Sequence, residues 1–355
     1  MDCWPTEGHD ARRTGHAPDC SVPDSEPMVR WQYDGLRKGL FQSPVATDGT
    51  VYLNYESEYY GDDPNVVALD AGTGAVRWSV NLDRFGNFRA SPTIDGQTLY
   101  VPDGTAAHAG NIHALDTADG RERWQVDGPF MYTPAVADGV VYAGFRTGVC
   151  AIDAGDGTQL WQYDSGEQTD AAVTVTDETV LVPQSGRLRA LEKETGRFVW
   201  EASLGQRLTS PVAVRNSVFV GTKEGTLFAL DVATGSVIWS LQRGEQIYKP
   251  PVATDELVFF GCDDGRVSAV TTGDGDEHWS VSLDEWVRDV TLFDGVLCVN
   301  SRTKGTTEHG LYALSSADGA LLWKFQPERS LHTPAIAADG TLFVGGYEGL
   351  FALTD

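Results

Sequence analysis

The chain has 355 residues and no apolar run that approaches the roughly 18 residues a membrane-spanning helix needs. Residues 1–5 have neither the charged nor the apolar region of a signal peptide. We therefore expect no transmembrane segment. The chain is cytoplasmic if it is native from its first methionine, and the alternative is that a leader was removed.

Basic residues are scarce, since 26 Lys and Arg stand against 51 Asp and Glu and the net charge is −25. Phosphate binding needs clustered Lys and Arg, so we expect no nucleic acid and no anionic lipid as partners. Only six of the basic residues are Lys. Excess Asp with little Lys is typical of a halophilic, archaeal protein, because high salt screens the repulsion within such a chain. An ordinary acidic bacterial protein is the alternative.

Cysteine is also rare, and five is an odd number that excludes a complete disulfide framework. Cys150, Cys262 and Cys298 lie in apolar, strand-like runs and are predicted to be small core residues. Cys3 and Cys20 flank a polar N-terminal segment and could pair with each other, above all if the protein is exported. The seven His residues are scattered without zinc-ligand spacing, so no metal site is expected.

One pattern recurs along most of the chain: a Leu-Asp-like pair, three residues, Gly, three residues and Trp. One copy runs from Leu69 and Asp70 through Gly74 to Trp78. Successive tryptophans of the series are 47, 46, 37, 39, 39, 40 and 44 residues apart, and such a period is typical of a repeat architecture. The series consists of Trp31, Trp78, Trp124, Trp161, Trp200, Trp239, Trp279 and Trp323.

Each repeat predicts four short antiparallel strands. The first follows a Ser-Pro or Thr-Pro step, the third carries the Leu-Asp pair and the fourth carries the Trp. Asp-Gly and Thr-Gly dipeptides between them supply the positive φ that tight turns demand. Four strands in roughly 40 residues form one blade of a β-propeller. Because a single blade exposes both faces, the Trp is expected to dock on the neighbouring blade.

The two ends of the chain complement each other. The last unit, after Thr333 and Pro334, has three predicted strands and no Trp, whereas residues 28–33 supply one strand with Trp31. Joining them closes the ring and removes open sheet edges. We therefore predict an all-β fold: an eight-bladed β-propeller of four-stranded antiparallel blades, with the N-terminal strand joining the last blade. Residues 1–27 form an arm packed on the propeller of residues 28–355, and we expect a monomer.

The repeats resemble the pyrroloquinoline-quinone (PQQ)-like propeller repeat, whose signature is Ala-Leu-Asp-x-x-x-Gly-x-x-x-Trp. The resemblance covers residues 28–355, and the segment from Trp4 to Gly15 is similar to a lead-in that lies against the propeller in many members. The family contains quinoprotein alcohol dehydrogenases, which bind PQQ and calcium in the central funnel. It also contains non-enzymatic docking propellers, such as the outer-membrane assembly lipoprotein and sensor domains fused to kinases, which favour a location at the cell envelope or outside the cell. The fold alone does not choose between them.

The features of the dehydrogenases are missing. Those enzymes have adjacent cysteines above the quinone, a tryptophan beneath it and Glu, Asn and Asp ligands for calcium. This sequence has no Cys-Cys pair and no segment that matches the calcium ligands. Outside the repeat there are only Trp4 and Trp286, of which only Trp286 is expected to reach the funnel. Catalysis is disfavoured and no cofactor is expected; PQQ and calcium are the cofactors of the disfavoured alternative.

Three loops between second and third strands are enlarged: residues 54–65, 103–111 and 301–310. They belong to blades 1, 2 and 7 and open on the same face as the segments that lead into the first strands. Enlarged loops on one side are typical of the binding face of a repeat protein, although random loop drift gives the same pattern. The acidic residues of 54–65 suit calcium but lack a recognised spacing, so a solvated loop is expected.

The residues before the first strands are expected to ring the channel mouth on that face. Their Lys and Arg favour a carboxylate, a phosphate or an acidic peptide, and their aromatic rings favour a planar ligand or a sugar. The alternative is that these Lys and Arg side chains and the carboxylates of Asp170 and Asp289 balance each other's charge around a water-filled channel. The candidate ligand-binding residues are Arg89, Tyr132, Arg207, Tyr248, Lys249, Trp286, Arg288 and His332.

These observations predict a non-catalytic scaffold that recognises a protein, peptide or glycan on its loop-rich face. The alternative is a degenerate quinoprotein that binds PQQ or another anionic ligand at the channel mouth.

Overall fold

The computed structural model describes residues 4–36, 40, 42–47, 49–55, 64–82, 90–103, 110–283, 285–302, 309–328 and 330–355. These residues form β-strands, turns and loops, and none of them is helical. Accordingly, no helix with the length and apolar character of a membrane crossing occurs in them.

The first half of the chain contains an N-terminal segment and four blades. The strands of the N-terminal segment are β1 (His16–Ala17) and β2 (Met28–Tyr33). In blade 1 they are β3 (Val45–Thr47), β4 (Thr50–Asn54), β5 (Val66–Asp70) and β6 (Val76–Val80). In blade 2 they are β7 (Thr93–Asp95), β8 (Thr98–Pro102), β9 (Gly110–Asp116) and β10 (Glu122–Gly128). In blade 3 they are β11 (Ala135–Ala137), β12 (Val140–Phe145), β13 (Gly148–Asp153) and β14 (Gln159–Asp164). In blade 4 they are β15 (Thr174–Val175), β16 (Thr179–Gln184), β17 (Arg187–Glu192) and β18 (Phe198–Ser203).

The second half contains the other four blades. In blade 5 the strands are β19 (Val212–Val214), β20 (Ser217–Gly221), β21 (Thr226–Asp231) and β22 (Val237–Gln242). In blade 6 they are β23 (Val252–Ala253), β24 (Leu257–Gly261), β25 (Arg266–Thr271) and β26 (Glu277–Ser282). In blade 7 they are β27 (Trp286–Phe293), β28 (Val296–Arg302), β29 (His309–Ser315) and β30 (Leu321–Phe325). In blade 8 they are β31 (Ile336–Ala338), β32 (Thr341–Gly346) and β33 (Gly349–Thr354).

The blades are eight antiparallel sheets in which the strands follow one another in chain order. Blade 8 is completed by β2, whose Trp31 lies opposite Ala352 of β33. The predicted eight-bladed propeller, closed by an N-terminal strand, is therefore confirmed. Blade 7 gains a fifth strand because β1 pairs in parallel with β27.

Burial explains the different composition of the four strand positions. Second and third strands are covered on both faces by the neighbouring blades, so they are almost continuously apolar and buried, as in β4 and β13. Fourth strands have one face in solvent and alternate, as in β14. Cys150, Cys262 and Cys298 are buried as the sequence predicts, and burial raises the pKa of the Cys150 and Cys262 thiols to about 12. Cys3 lies outside the described residues, so its pairing with Cys20 stays a prediction.

The tryptophans of the repeat join neighbouring blades through hydrogen bonds. In the first seven copies the indole N–H donates to a carbonyl in the hairpin between the third and fourth strands of the next blade, as from Trp31 to Ala71 O at 3.0 Å. Blade 8 has no such hairpin, because its third and fourth strands come from opposite ends of the chain. There Trp323 donates instead to Pro23 O at 2.7 Å. The arm thus replaces the missing hairpin.

The glycine of the repeat meets two requirements at once. At Gly235 φ is +70°, which the tight turn needs and which glycine adopts without strain. A Cβ on Gly235 would also lie 2.4 Å from Cε3 of Trp200, the docking tryptophan of the preceding blade. The sequence pattern predicted the turn, whereas the room for the indole is visible only in the packed ring.

The arm lies inside the ring, against the edges of the innermost strands. Carbonyl oxygens of the arm accept hydrogen bonds from inward-facing amides of blades 2, 4, 5, 6 and 7, and Trp4 makes a bridge to Ala46 of blade 1. Trp4 is fully buried, so the expectation that only Trp286 would reach the axis was wrong for Trp4. The arm occupies the axis, and the interpretation of a water-filled channel at the mouth stays a prediction.

Candidate functional site

The channel mouth is the end of the ring where the segments preceding the first strands meet the loops between second and third strands. A cavity of about 380 Å³ opens there against blades 4, 5 and 6. Of the predicted site residues, Arg207, Tyr248 and Lys249 line this cavity together. The arm contributes Glu7, blade 4 contributes Asp170, and the loop after β20 contributes Lys223.

The floor of the cavity is a buried network of charges. Glu7 accepts a hydrogen bond of 2.6 Å from the Thr133 hydroxyl. Burial alone would raise the pKa of Glu7, but Lys249 and Arg13 lower it below its ordinary value. Lys249 lies 3.2 Å from Asp289, and this carboxylate raises the pKa of Lys249. The expected charge balance between Lys249 and Asp289 is therefore present.

Asp289 is the group of this network with a pKa near neutrality. Burial raises its pKa to about 6, and the neighbouring Lys249 lowers it only in part. Asp170, the other carboxylate of the charge-balance interpretation, does not pair with a described cation. Instead its Oδ2 accepts backbone N–H groups of Gly186 at 2.9 Å and Leu208 at 3.2 Å.

Arg13 anchors the arm beneath this network. Its guanidinium is buried and donates to three carbonyl oxygens, those of Val173 at 2.7 Å, Thr133 at 2.8 Å and Glu7 at 2.9 Å. Desolvation by burial lowers the pKa of Arg13, and the nearby carboxylates of Glu7 and Asp10 oppose this shift. The arm, blade 3 and blade 4 are therefore tied together at a single side chain.

Hydroxyl groups of the Ser-Pro and Thr-Pro steps link neighbouring blades around the same region. The Ser91 hydroxyl accepts the N–H of Ser43 at 2.9 Å, and the Thr133 hydroxyl accepts the N–H of Ser91 at 3.0 Å. Because Thr133 also donates to Glu7, the chain of bonds runs from blade 1 to the arm. In the sequence these residues mark only where the first strands begin, and their contribution to the contacts between blades is visible only in the closed ring.

Blade 7 brings aromatic rings and guanidinium groups into contact beside the cavity. The Arg288 guanidinium lies 5.3 Å from the ring centre of Tyr248 and 5.6 Å from that of Trp286. Arg302 lies 5.8 Å from the ring centre of Trp286. The sequence identified three of these four side chains and missed Arg302, which lies at the start of an enlarged loop and opposite Trp286 in the strand register.

The remaining predicted site residues are spread around the mouth. The Tyr132 hydroxyl donates to Thr169 O at 2.5 Å, and burial raises the pKa of Tyr132. His332 makes an edge-to-face contact with Tyr347, with ring centres 4.6 Å apart. Arg89 lies outside the described residues, as do residues 56–63, 104–109 and 303–308 of the three enlarged loops.

At the base of the loop after β8, His113 contacts two carboxylates. Its Nε2 lies 3.1 Å from Asp103 and its Nδ1 lies 3.0 Å from Glu122. Burial alone would lower the pKa of His113, but the hydrogen bonds with both carboxylates raise it above its ordinary value. In the described residues, no group of three or more His, Cys, Asp or Glu side chains is arranged to hold a metal ion.

In the described part of the chain, most cations without a partner lie at the mouth. Among the Lys and Arg residues that the structure describes, six have neither a carboxylate within 4.0 Å nor a hydrogen-bond acceptor for the side chain. Arg30 lies in the outer strand β2. The other five belong to the segments and loops of the mouth: Arg146, Arg207, Lys223, Arg288 and Arg302.

Comparison with known proteins identifies the family. The family model of the outer membrane protein assembly factor BamB matches residues 28–139, 62–211 and 184–291, which together extend from residue 28 to residue 291. The chain belongs to this family. A curated relative is the serine/threonine-protein kinase AfsK of Streptomyces griseus, 32% identical over 124 residues; the match covers 32% of this chain and 14% of the kinase.

Solved structures confirm the propeller. The crystal structure of BamB from Moraxella catarrhalis superposes with a TM-score of 0.74 at 17% identity, over 92% of this chain and 99% of that one. The quinohemoprotein alcohol dehydrogenase of Comamonas testosteroni superposes with a TM-score of 0.80 at 15% identity, over 99% of this chain and 80% of the enzyme. Identities this low establish the shared fold and leave the function to the site itself.

Proposed function

We propose that this chain is a non-catalytic docking propeller that binds an acidic, extended segment of a partner protein across its channel mouth. The concentration of unpaired cations carries the proposal. On a chain with net charge −25, most described Arg and Lys side chains pair with Asp or Glu, whereas five at the mouth are left for an external partner. Complementary charge steers such a partner to one face and fixes its position.

The shape of the mouth favours a peptide that lies along the surface. The arm occupies the axis, so a segment cannot pass through the ring and must lie across its end. The cavity of about 380 Å³ accepts a few side chains, and Tyr248 is 56% exposed beside it. A surface with aromatic rings and arginines is typical of the energetically important part of a protein interface. The family name, an outer membrane protein assembly factor, supports a protein partner.

We do not propose a PQQ and calcium centre, because three carboxylates at the mouth are engaged in other contacts, and Asp263 belongs to no group of three or more potential metal ligands in the described residues. Asp289 pairs with Lys249, Asp170 accepts two backbone amides, and Glu7 accepts the Thr133 hydroxyl. Calcium requires several oxygen ligands directed at one point. The described residues at the mouth therefore do not fit the metal that accompanies the quinone in the dehydrogenases.

A fluorescein-labelled hexaglutamate peptide tests the proposal. We expect it to bind the intact protein, and we expect the triple variant Arg146→Gln, Arg207→Gln, Lys223→Gln to bind at least tenfold more weakly, since each charge-assisted hydrogen bond contributes about 1.5–3 kcal/mol. The control is Arg30→Gln, Arg121→Gln, Arg215→Gln, which changes the net charge equally at exposed positions away from the mouth.

Fluorescence anisotropy in the same buffer measures all three affinities. Equal affinity of the two triple variants contradicts the proposal, as does the absence of binding to the intact protein. An uncharged hexaglutamine peptide controls for sequence-independent binding of the backbone. If an acidic oligosaccharide binds the intact protein and hexaglutamate does not, the glycan interpretation replaces the peptide.

A further inference from the structure

Four side chains of blades 6 and 7 form a continuous stack at the mouth, which we call the arginine–aromatic stack: Tyr248, Arg288, Trp286 and Arg302. Each successive pair is in contact, at 5.3, 5.6 and 5.8 Å between guanidinium carbon and ring centre. Trp286 thus contacts both arginines. Cation–π contacts of this kind hold a guanidinium in place while leaving its N–H groups, which lie in its own plane, able to bind an acceptor.

The backbone at this point is irregular in a way that positions Arg288. The register of β27 with β28 shifts between Val287 and Asp289, so Arg288 is the extra residue of a β-bulge. Bulges re-aim a side chain, and they are common beside functional sites. β27 has eight residues, whereas the other described first strands have two or three, so the inner hairpin of blade 7 extends to the mouth.

Neither arginine of the stack forms an ion pair with a carboxylate of the described residues. Two nearby carboxylates act on Arg288 through space, those of Asp263 and Asp289. Asp289 pairs with Lys249, and no described cation lies within 4.0 Å of the Asp263 carboxylate. In contrast, Arg77, Arg123 and most other described arginines of the blades pair with a carboxylate.

We propose that the arginine–aromatic stack is the site that recognises a carboxylate of the docking segment, an Asp or Glu side chain or a chain terminus. The proposal rests on the proposed function and assigns to these residues its strongest contact. A guanidinium offers two parallel N–H groups to a carboxylate, which an ammonium cannot do. The rings of Tyr248 and Trp286 fix the two guanidinium planes before the ligand arrives, so little side-chain freedom is lost on binding.

Arg→Lys substitutions separate this recognition from simple attraction between charges. Arg288→Lys and Arg302→Lys keep the net charge and remove the planar donor pair. We expect each to weaken the binding of labelled hexaglutamate at least tenfold. Arg266→Lys is the matched control, because Arg266 lies in blade 6 beside the mouth but is directed to Asp264 at 3.8 Å. Its affinity should equal that of the unchanged protein.

Trp286→Phe gives a second, independent measurement. The substitution keeps an apolar ring under both arginines but weakens the cation–π contact, because Trp is the best partner for a cation. We expect the affinity for hexaglutamate to fall several-fold. We also expect the change in tryptophan fluorescence on peptide addition to disappear, because Trp286 is its source. Thermal unfolding of each variant, unchanged from that of the original chain, verifies that the ring is intact.

The outcomes distinguish this inference from the proposed function. One outcome is that Arg288→Lys and Arg302→Lys bind hexaglutamate as the unchanged protein does, whereas the double variant Arg207→Gln, Lys223→Gln loses binding. In that case the stack is not the recognition site, and docking at the mouth still stands. If hexaglutamate does not bind the unchanged protein at all, both are overturned. Weakening in the two Lys variants with Arg266→Lys unaffected supports the stack.

Discussion

The outer part of the ring and its axis differ in how regularly their contacts repeat from blade to blade. In the outer part, one contact recurs seven times: an indole N–H donates to a carbonyl in a hairpin of the next blade, and the indole packs where a glycine lacks a side chain. The eighth indole, that of Trp323, donates to Pro23 of the arm. At the axis and the mouth, the arm, the buried charges and the arginine–aromatic stack each occur once, although the hydroxyl groups of the Ser-Pro and Thr-Pro steps repeat one link between neighbouring blades. The comparison teaches that the repeat determines the shape of the molecule, whereas its specific chemistry lies in residues outside the repeat.

The largest effect is expected at the axis, from Arg13. Arg13→Ala leaves three carbonyl oxygens without their donor and Glu7 without one of its counter-charges, so we expect the free energy of unfolding to fall by about 3–5 kcal/mol. The neighbouring Arg12→Ala is the control, because Arg12 pairs at the surface with exposed Asp177 and its loss costs at most about 1 kcal/mol. Urea unfolding compares the two, and similar losses would contradict a special contribution of the axis.

The next largest effect concerns the recurrent contact. Gly235→Ala introduces a Cβ where φ is +70° and where Trp200 lies 2.4 Å away. Gly139→Ala has nearly the same φ, +73°, with no atom within 4 Å of the new Cβ. We expect about 1–2 kcal/mol of destabilisation from the backbone at both sites, and about 1–3 kcal/mol more at Gly235 from overpacking. Equal losses in urea unfolding would show that the glycine is required only for the turn.

The smallest effect is a pH dependence at the base of a mouth loop. The hydrogen bonds with Asp103 and Glu122 raise the pKa of His113 above its unfolded value, so the protonated ring stabilises the fold below that value. This stability is lost as the pH rises through the folded pKa, because buried Asp103 then loses its counter-charge. Urea unfolding from about pH 5.5 to about pH 9 should show the loss in the unchanged chain and a flatter profile in His113→Gln. Identical profiles would contradict the assignment.

The sequence predicted the outer part of the ring far better than the axis. The spacing from Gly to Trp is local, and its repetition identifies the strands, the turns and the pairing of β2 with β33. Glu7 and Arg13 belong to a segment whose path no local pattern encodes, so they were missed as contributors to the mouth. Arg302 was missed for a related reason: the register of a hairpin brings it to Trp286, from which it is distant along the chain.

Amide hydrogen exchange with and without saturating hexaglutamate tests the central claim most directly, because it reports on the outer part and the mouth of the same molecule. We predict slower exchange in residues 207–209, 246–249 and 286–289, which belong to the mouth. The outer hairpins, such as residues 70–75 and 231–236, should exchange at the same rate in both states. Protection confined to the outer hairpins or outer strands, with the mouth unchanged, would contradict it.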